Sequence, residues 1–266
     1  MKVLTTWGAP FKWCRLIIAL LVSVTACPWA AAAGDLTIAA ASDLNFAFKE
    51  LVGAYEKKAG GHVKLSLGSS GNFYSQIRNG APFDVYFSAD IAYPRKLEEA
   101  GLTVPGTLYR YAIGRIVVWA PSQSPLAVET QGIQVLLDPS VRKIAIANPK
   151  HAPYGRAAVG ALEHFKLRER VSDKLVLGEN ISQTAQFVQS RAADIGIIAL
   201  SLALAPAMKE RGKYWEIPTN AHPPLEQGVV VLKSSTNQDG AKAFLDFLRS
   251  EEGQTIMKRY GFVLPS

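Results

Sequence analysis

From residue 36 onward, short apolar runs alternate with longer amphipathic stretches, and that rhythm admits few folds. Residues 36–41 (LTIAAA) read as a buried strand. Residues 45–58 carry Phe48, Leu51, Val52 and Tyr55 at helical spacing. Strand patterns recur at 62–67 and 84–88, with helices predicted at 72–79 and 93–100. A β-α-β-α-β order implies a parallel sheet covered on both faces. The pattern then restarts. Strands are expected at 115–120, 143–147, 174–177, 194–200 and 228–232. Helices are expected at 155–165, 182–191 and 241–257. No linker rich in Gly, Ser or Pro divides the two series. We therefore expect an α/β protein of two lobes, each a central, mostly parallel sheet flanked by helices, with a cleft between them.

The first 33 residues follow a different logic. Lys2, Lys12 and Arg15 precede an apolar run at 16–26, small residues fill 30–33, and no acid occurs before Asp35. This is the layout of a secretory signal peptide. The run of 11 residues falls short of the roughly 20 that span a bilayer. Export is expected, with cleavage near Ala33. Val24-Thr25-Ala26-Cys27 also has the form of a lipobox, so lipidation at Cys27 stands as the alternative. Both cysteines, Cys14 and Cys27, lie in this segment, so a chain starting at Gly34 has no disulfide or thiolate metal site. The net charge of +7 includes the three basic residues of the leader. The mild remaining excess is spread along the chain and offers no nucleic-acid surface.

In sheets of this kind, ligands bind beyond the carboxyl ends of the strands, where helices begin. Four such junctions matter here: Ala41-Ser42-Asp43-Leu44-Asn45, Gly68-Ser69-Ser70-Gly71-Asn72, the stretch 148–155 (NPKHAPYG), and 178–183 (GENISQ). Each offers amides with no intrahelical partner and the positive end of a helix dipole. Several of them facing one cleft make an anion site that needs neither Lys nor Arg. Ser42 and Ser70 add hydroxyl donors. Taken singly, each junction also reads as an ordinary helix cap.

Ala39-Ala40-Ala41-Ser42, Gly68-Ser69-Ser70-Gly71, the stretch 80–90 (GAPFDVYFSAD), 149–155 and Lys258-Arg259-Tyr260-Gly261-Phe262 resemble the molybdate-binding periplasmic proteins of ABC importers. The likeness runs in the same order over the whole chain after the leader. It implies a two-lobed periplasmic-binding-protein fold of type II. The signal segment would be 1–33, lobe one 34–115, lobe two 116–228, with a return to lobe one at 229–266. By position, the resemblance puts the oxyanion on the hydroxyl and amide of Ser42, on Ser70, and on the backbone amides of Tyr154 and Ile181. Molybdenum would be held through its oxygens by these four residues. Family members carry a tyrosine donor where this chain has Ala199, so either the Tyr154 hydroxyl or the Asn72 amide compensates, or the anion has fewer donors here. Asp43 has two readings: it points away and caps the first helix, or its carboxylate ligates the metal directly.

Molybdate is a dianion with four acceptor oxygens and no proton near neutral pH, so a pocket of donors suits it. A protonated phosphate loses one bond there, and charge-assisted bonds are worth about 1.5–3 kcal/mol. Sulfate must be rejected by size, whereas tungstate is expected to bind like molybdate. The protein is thus expected to be a monomeric, periplasmic, non-catalytic carrier with no cofactor and no nucleic-acid partner. Its ligand would be molybdate or tungstate, delivered to an importer permease in the inner membrane. Two alternatives remain: a carrier of sulfate or another oxyanion, and a secreted serine hydrolase using Ser70. His62, His151, His164 and His222 show no zinc-binding spacing.

Overall fold

In the computed structural model, residues 35–265 are described, and they form two five-stranded sheets. The leader lies outside these residues, with its expected cleavage near Ala33 and the alternative lipidation at Cys27. The first sheet begins with β1 (Leu36–Ala41), a 3-10 turn at Ser42–Leu44 and α1 (Asn45–Ala59). β2 (Val63–Gly68), α2 (Ser70–Arg78), β3 (Val85–Ser88), α3 (Ala92–Glu99) and β4 (Tyr109–Gly114) follow. The chain passes at Arg115 into β5 (Ile116–Pro121) of the second sheet.

That sheet continues through α4 (Val128–Gln131), β6 (Ile144–Ala147), α5 (Pro153–His164), β7 (Leu175–Gly178), α6 (Ile181–Gln189) and β8 (Ile195–Ala199). Two short helices, α7 (Leu200–Ala203) and α8 (Pro206–Lys209), lead to β9 (Gly212–Glu216). β10 (Leu225–Val231) rejoins the first sheet, and α9 (Gln238–Arg249) and α10 (Glu251–Arg259) complete the described chain.

The strand orders are β2-β1-β3-β10-β4 and β7-β6-β8-β5-β9. β1 pairs in parallel with β2 and β3, and β6 with β7 and β8. β10 and β5 run antiparallel to both of their neighbours. Each sheet therefore has four strands in one direction and one reversed, as the mostly parallel reading anticipated. The central strands are buried and apolar because helices cover both faces.

Each sheet has its own core. Phe48 of α1, Phe87 of β3 and Phe244 of α9 meet edge-to-face, with ring centroids 4.8–6.2 Å apart. Such pairs add about 0.5–1.5 kcal/mol beyond burial. In the second core Trp119 is 1% exposed. An added Cβ at Gly212 would lie 2.0 Å from its ring, so the edge strand packs there only as glycine.

Several local expectations are corrected. β4 and β9 were not anticipated: one mixes Arg110 with tyrosines, the other is a half-exposed edge, and neither shows a clean apolar run. The predicted helix at 241–257 is two helices, broken at Ser250, whose extended backbone (ψ 160°) and Oγ cap α10 at Gly253 N. β10 starts at Leu225, four residues before the expected return at 229. α5 starts at Pro153 rather than 155, because proline fits the first helical turn, where its missing N–H costs nothing.

Candidate functional site

The carboxyl ends of β1, β2, β6 and β7 each lead into a helical turn. These four helical starts surround one small cavity. Ser42, Ser70, Tyr154 and Ile181 all line it. None is more than 3% exposed. No Lys, Arg or His lines the cavity.

Ser70 opens α2, and its Oγ accepts from Ala89 N at 3.0 Å, leaving the hydroxyl proton available. Tyr86 Oη donates to Ser70 O at 2.7 Å and anchors the turn. Ser42 Oγ is more heavily engaged. It donates to Asn180 Oδ1 at 3.1 Å and accepts from Ser182 N at 3.3 Å, while Ser182 Oγ donates to Ser42 O at 2.8 Å. Pro153 at the first position of α5 makes Tyr154 N a first-turn amide. Ile181 holds the equivalent place in α6. Among the described residues, no carbonyl or side-chain acceptor meets the backbone N–H of Ser42, Ser70, Tyr154 or Ile181. Four buried amides thus share one cavity with unspent donors. Buried N–H groups are rarely left so, because each costs free energy comparable to a lost hydrogen bond.

Asp43 does not cap the first helix, which has no side-chain cap. Its side chain instead closes a buried network. Oδ2 accepts from Tyr154 Oη at 2.9 Å and from Gln227 Nε2 at 2.7 Å. Gln227 Oε1 in turn accepts from Tyr111 Oη at 2.6 Å. The backbone carbonyl of Asp43 accepts from Ser201 Oγ at 2.8 Å. Asp43 Oδ1 is buried and has no partner among the described residues. Burial pushes the carboxyl up to about 7, against the opposing effect of the bonds from Gln227 and Tyr154. Burial, with Asp43 nearby, raises Tyr154 well above the ordinary phenol range, and Tyr111 likewise.

The tyrosine donor absent at Ala199 is replaced by neither of the two expected groups. The Tyr154 hydroxyl spends its proton on Asp43, and Asn72 Nδ2 donates to Glu179 Oε1 at 2.6 Å. Sequence reasoning missed Gln227 and Ser201, and placed Asn180 in the fourth junction without its bond to Ser42. Gln227 carried no local signal: it stands beside Glu226, ahead of the apolar run 228–232, yet it is fully buried.

Around the rim, contacts join the two sheets' units. Gly71 N donates to His151 O at 2.9 Å, and Arg156 NH2 meets Asp90 Oδ2 at 2.5 Å. His151 Nδ1 lies 2.9 Å from Ser69 Oγ, and its Nε2 is 3.6 Å from Glu179 Oε2. A histidine therefore meets Ser69, not Ser70, and the hydrolase reading finds no base at its nucleophile. Among the described residues, no group of three His, Cys, Asp or Glu is placed to hold a metal ion. The chemistry on offer is recognition by donors, which suits a small multivalent oxyanion.

Comparison with known proteins agrees in kind. Residues 36–263 match the family model described as bacterial extracellular solute-binding protein. The molybdate-binding protein ModA of Azotobacter vinelandii is 38% identical over 96% of this chain and 99% of its own length. The ModA of Rhodobacter capsulatus is 38% identical over 88% of this chain and 90% of its own. The solved structure of the Azotobacter vinelandii periplasmic molybdate-binding protein superposes with a TM-score of 0.82 at 35% identity. It covers 87% of this chain and all of its own.

Proposed function

The chain belongs to the bacterial extracellular solute-binding protein family, and from that premise we propose that it captures molybdate outside the cytoplasm for an ABC importer. One observation carries the choice of ligand class: the buried, acceptor-free N–H groups of Ser42, Ser70, Tyr154 and Ile181 converge on one cavity. A tetrahedral dianion supplies four acceptor oxygens to such a set. The helix dipoles aimed at it neutralise part of its charge without a formal cation. The ModA proteins of Azotobacter vinelandii and Rhodobacter capsulatus are named for molybdate, which fits this chemistry.

On this reading Ser70 offers hydroxyl and amide, Tyr154 and Ile181 offer amides, and Ser42 offers its amide. The Ser42 hydroxyl has one proton, now directed at Asn180, so it reaches the anion only by turning away. The protein performs no catalysis and acts as a monomer in the periplasm, reached through its leader. The importer supplies the driving energy. Donors from both units converge, so the anion is held only when the lobes are closed, and exclusion of water strengthens every contact.

Calorimetry with molybdate, tungstate, sulfate and phosphate tests the proposal. Tight binding is expected for the first two alone. Ser70→Ala should weaken molybdate about 10- to 100-fold, the loss of one charge-assisted bond of about 1.5–3 kcal/mol. Ser42→Ala should lose a similar amount, because its Oγ also ties Ser182 N across the cleft. Sulfate binding as tightly as molybdate would transfer the assignment to a sulfate carrier.

A further inference from the structure

We propose that Asp43 holds its proton on Oδ1 and donates it to an oxygen of the bound oxyanion, supplying the donor that Ala199 cannot. The inference rests on the oxyanion reading above and deepens it.

The geometry leaves little choice of role. Asp43 is 1% exposed and lines the cavity. Oδ2 is saturated by Tyr154 and Gln227, both donating. Oδ1 is the remaining oxygen, buried and unpartnered. Were the carboxyl ionised, its charge would sit beside a dianion with no cation in the cavity lining to offset it. A neutral acid turns the same atom from a repelling acceptor into a donor. Donation into Oδ2 also settles which oxygen carries the proton, since Oδ2 already receives two hydrogens.

The surroundings favour the neutral form. Tyr154 from α5 and Tyr111 from β4 face the carboxyl as phenols kept protonated by burial. Gln227 from β10, Ser201 from α7, Asn45 from α1, Ser69 ending the β2 side and Ser182 from α6 are uncharged. Glu179, ahead of α6, is charged but held by Asn72 and beside His151 at the rim. Burial already brings the carboxyl to about 7, and a dianion alongside raises it further. The pocket then presents donors alone, and a protonated phosphate finds no acceptor.

The test is the pH profile of molybdate binding from pH 6 to 8.5, by calorimetry on the whole exported protein. For the wild type, Kd should be flat near pH 6. It should then climb towards about tenfold per unit above pH 7, because binding takes up one proton. Asp43→Asn places a permanent N–H donor where the acid proton sits, while its amide oxygen keeps the bonds from Tyr154 and Gln227. It should bind within about threefold of the wild type at pH 6, with the slope abolished. Asp43→Ala should lose at least tenfold at pH 6. His151→Gln, which removes the imidazole beside Ser69 at the rim, should keep the wild-type slope. A flat wild-type profile, a wild-type slope in Asp43→Asn, or loss of binding by Asp43→Asn at pH 6 would overturn the proposal. The last result would point to a carboxylate bonded to the metal. No binding at any pH would remove the oxyanion reading and this proposal with it, whereas binding with a flat profile removes this proposal alone.

Discussion

Asp43 shows how one side chain can couple binding to stability. Its folded-state value, about 7, lies above its ordinary value of 3.8. A raised acid contributes its stability fully at low pH, where both states hold the proton. That contribution is lost as pH rises from about 4 through 7, because the unfolded chain releases the proton first. The shift corresponds to at most about 4 kcal/mol. Urea unfolding without oxyanion should therefore show Asp43→Asn gaining on the wild type by a few kcal/mol between pH 4.5 and 8. Equal pH trends for the two proteins would mean that the buried carboxyl is relieved some other way. The placement of Asp43 beside Ser42 was plain in the sequence. Its orientation was not, because Tyr154 and Gln227, which hold it, lie 111 and 184 residues away.

At the level of elements, the site is made of helix beginnings. α6 illustrates how a cap serves two ends. Asn180 Oδ1 accepts Gln183 N at 3.0 Å, an ordinary N-cap, and also accepts the Ser42 hydroxyl from the other unit. Asn180→Ala should cost about 1 kcal/mol of stability, as lost N-caps do. It should also release the Ser42 hydroxyl, so molybdate affinity should fall less than folding stability. Thermal unfolding and calorimetry on one preparation separate the two effects. α5 gives the complementary case. Pro153 begins the helix two residues before the apolar periodicity does, and this makes Tyr154 N a first-turn donor. Periodicity locates the middle of a helix better than its end, because the first turn is set by caps and backbone geometry rather than by burial.

For the whole molecule, the proposed carrier role makes closure of the two lobes the functional variable. Among the described residues, the chain passes between the sheets at Arg115 and in the stretch 217–224, and bonds such as Gly71 N to His151 O join the units across the cleft. Gly71 sits at one of the close approaches across it. An added Cβ would lie 2.7 Å from His151 O and 3.0 Å from the Tyr93 hydroxyl. The His151 contact lies across the cleft and is backbone, whereas the Tyr93 hydroxyl, in the same unit as α2, is the far end of a side chain that can shift. Gly71→Ala should therefore leave the unfolding midpoint of the ligand-free protein nearly unchanged. Overpacking of this kind costs about 1–3 kcal/mol, borne by the closed form alone, so molybdate should bind about 10- to 100-fold more weakly. Small-angle scattering should show less compaction on adding molybdate than for the wild type. A lowered midpoint with unchanged affinity would place the strain inside one unit instead.

Alternation of apolar runs with amphipathic stretches determined the α/β layout and most of its strands, because burial on two faces imposes a local pattern. The order of strand, small polar residues and helix marked the four junctions and the hydroxyls of Ser42 and Ser70, and the family resemblance singled out Tyr154 and Ile181 within them. Edge strands such as β9, half wet and short, left no such imprint. Only the tertiary structure decided that the four starts share one cavity, that Asn72 and the Tyr154 hydroxyl are already committed elsewhere, and that Asp43 turns inward with one oxygen unmet. Those facts depend on hydrogen bonds between residues more than a hundred positions apart, and no local preference of the chain encodes which distant donor a buried oxygen will meet.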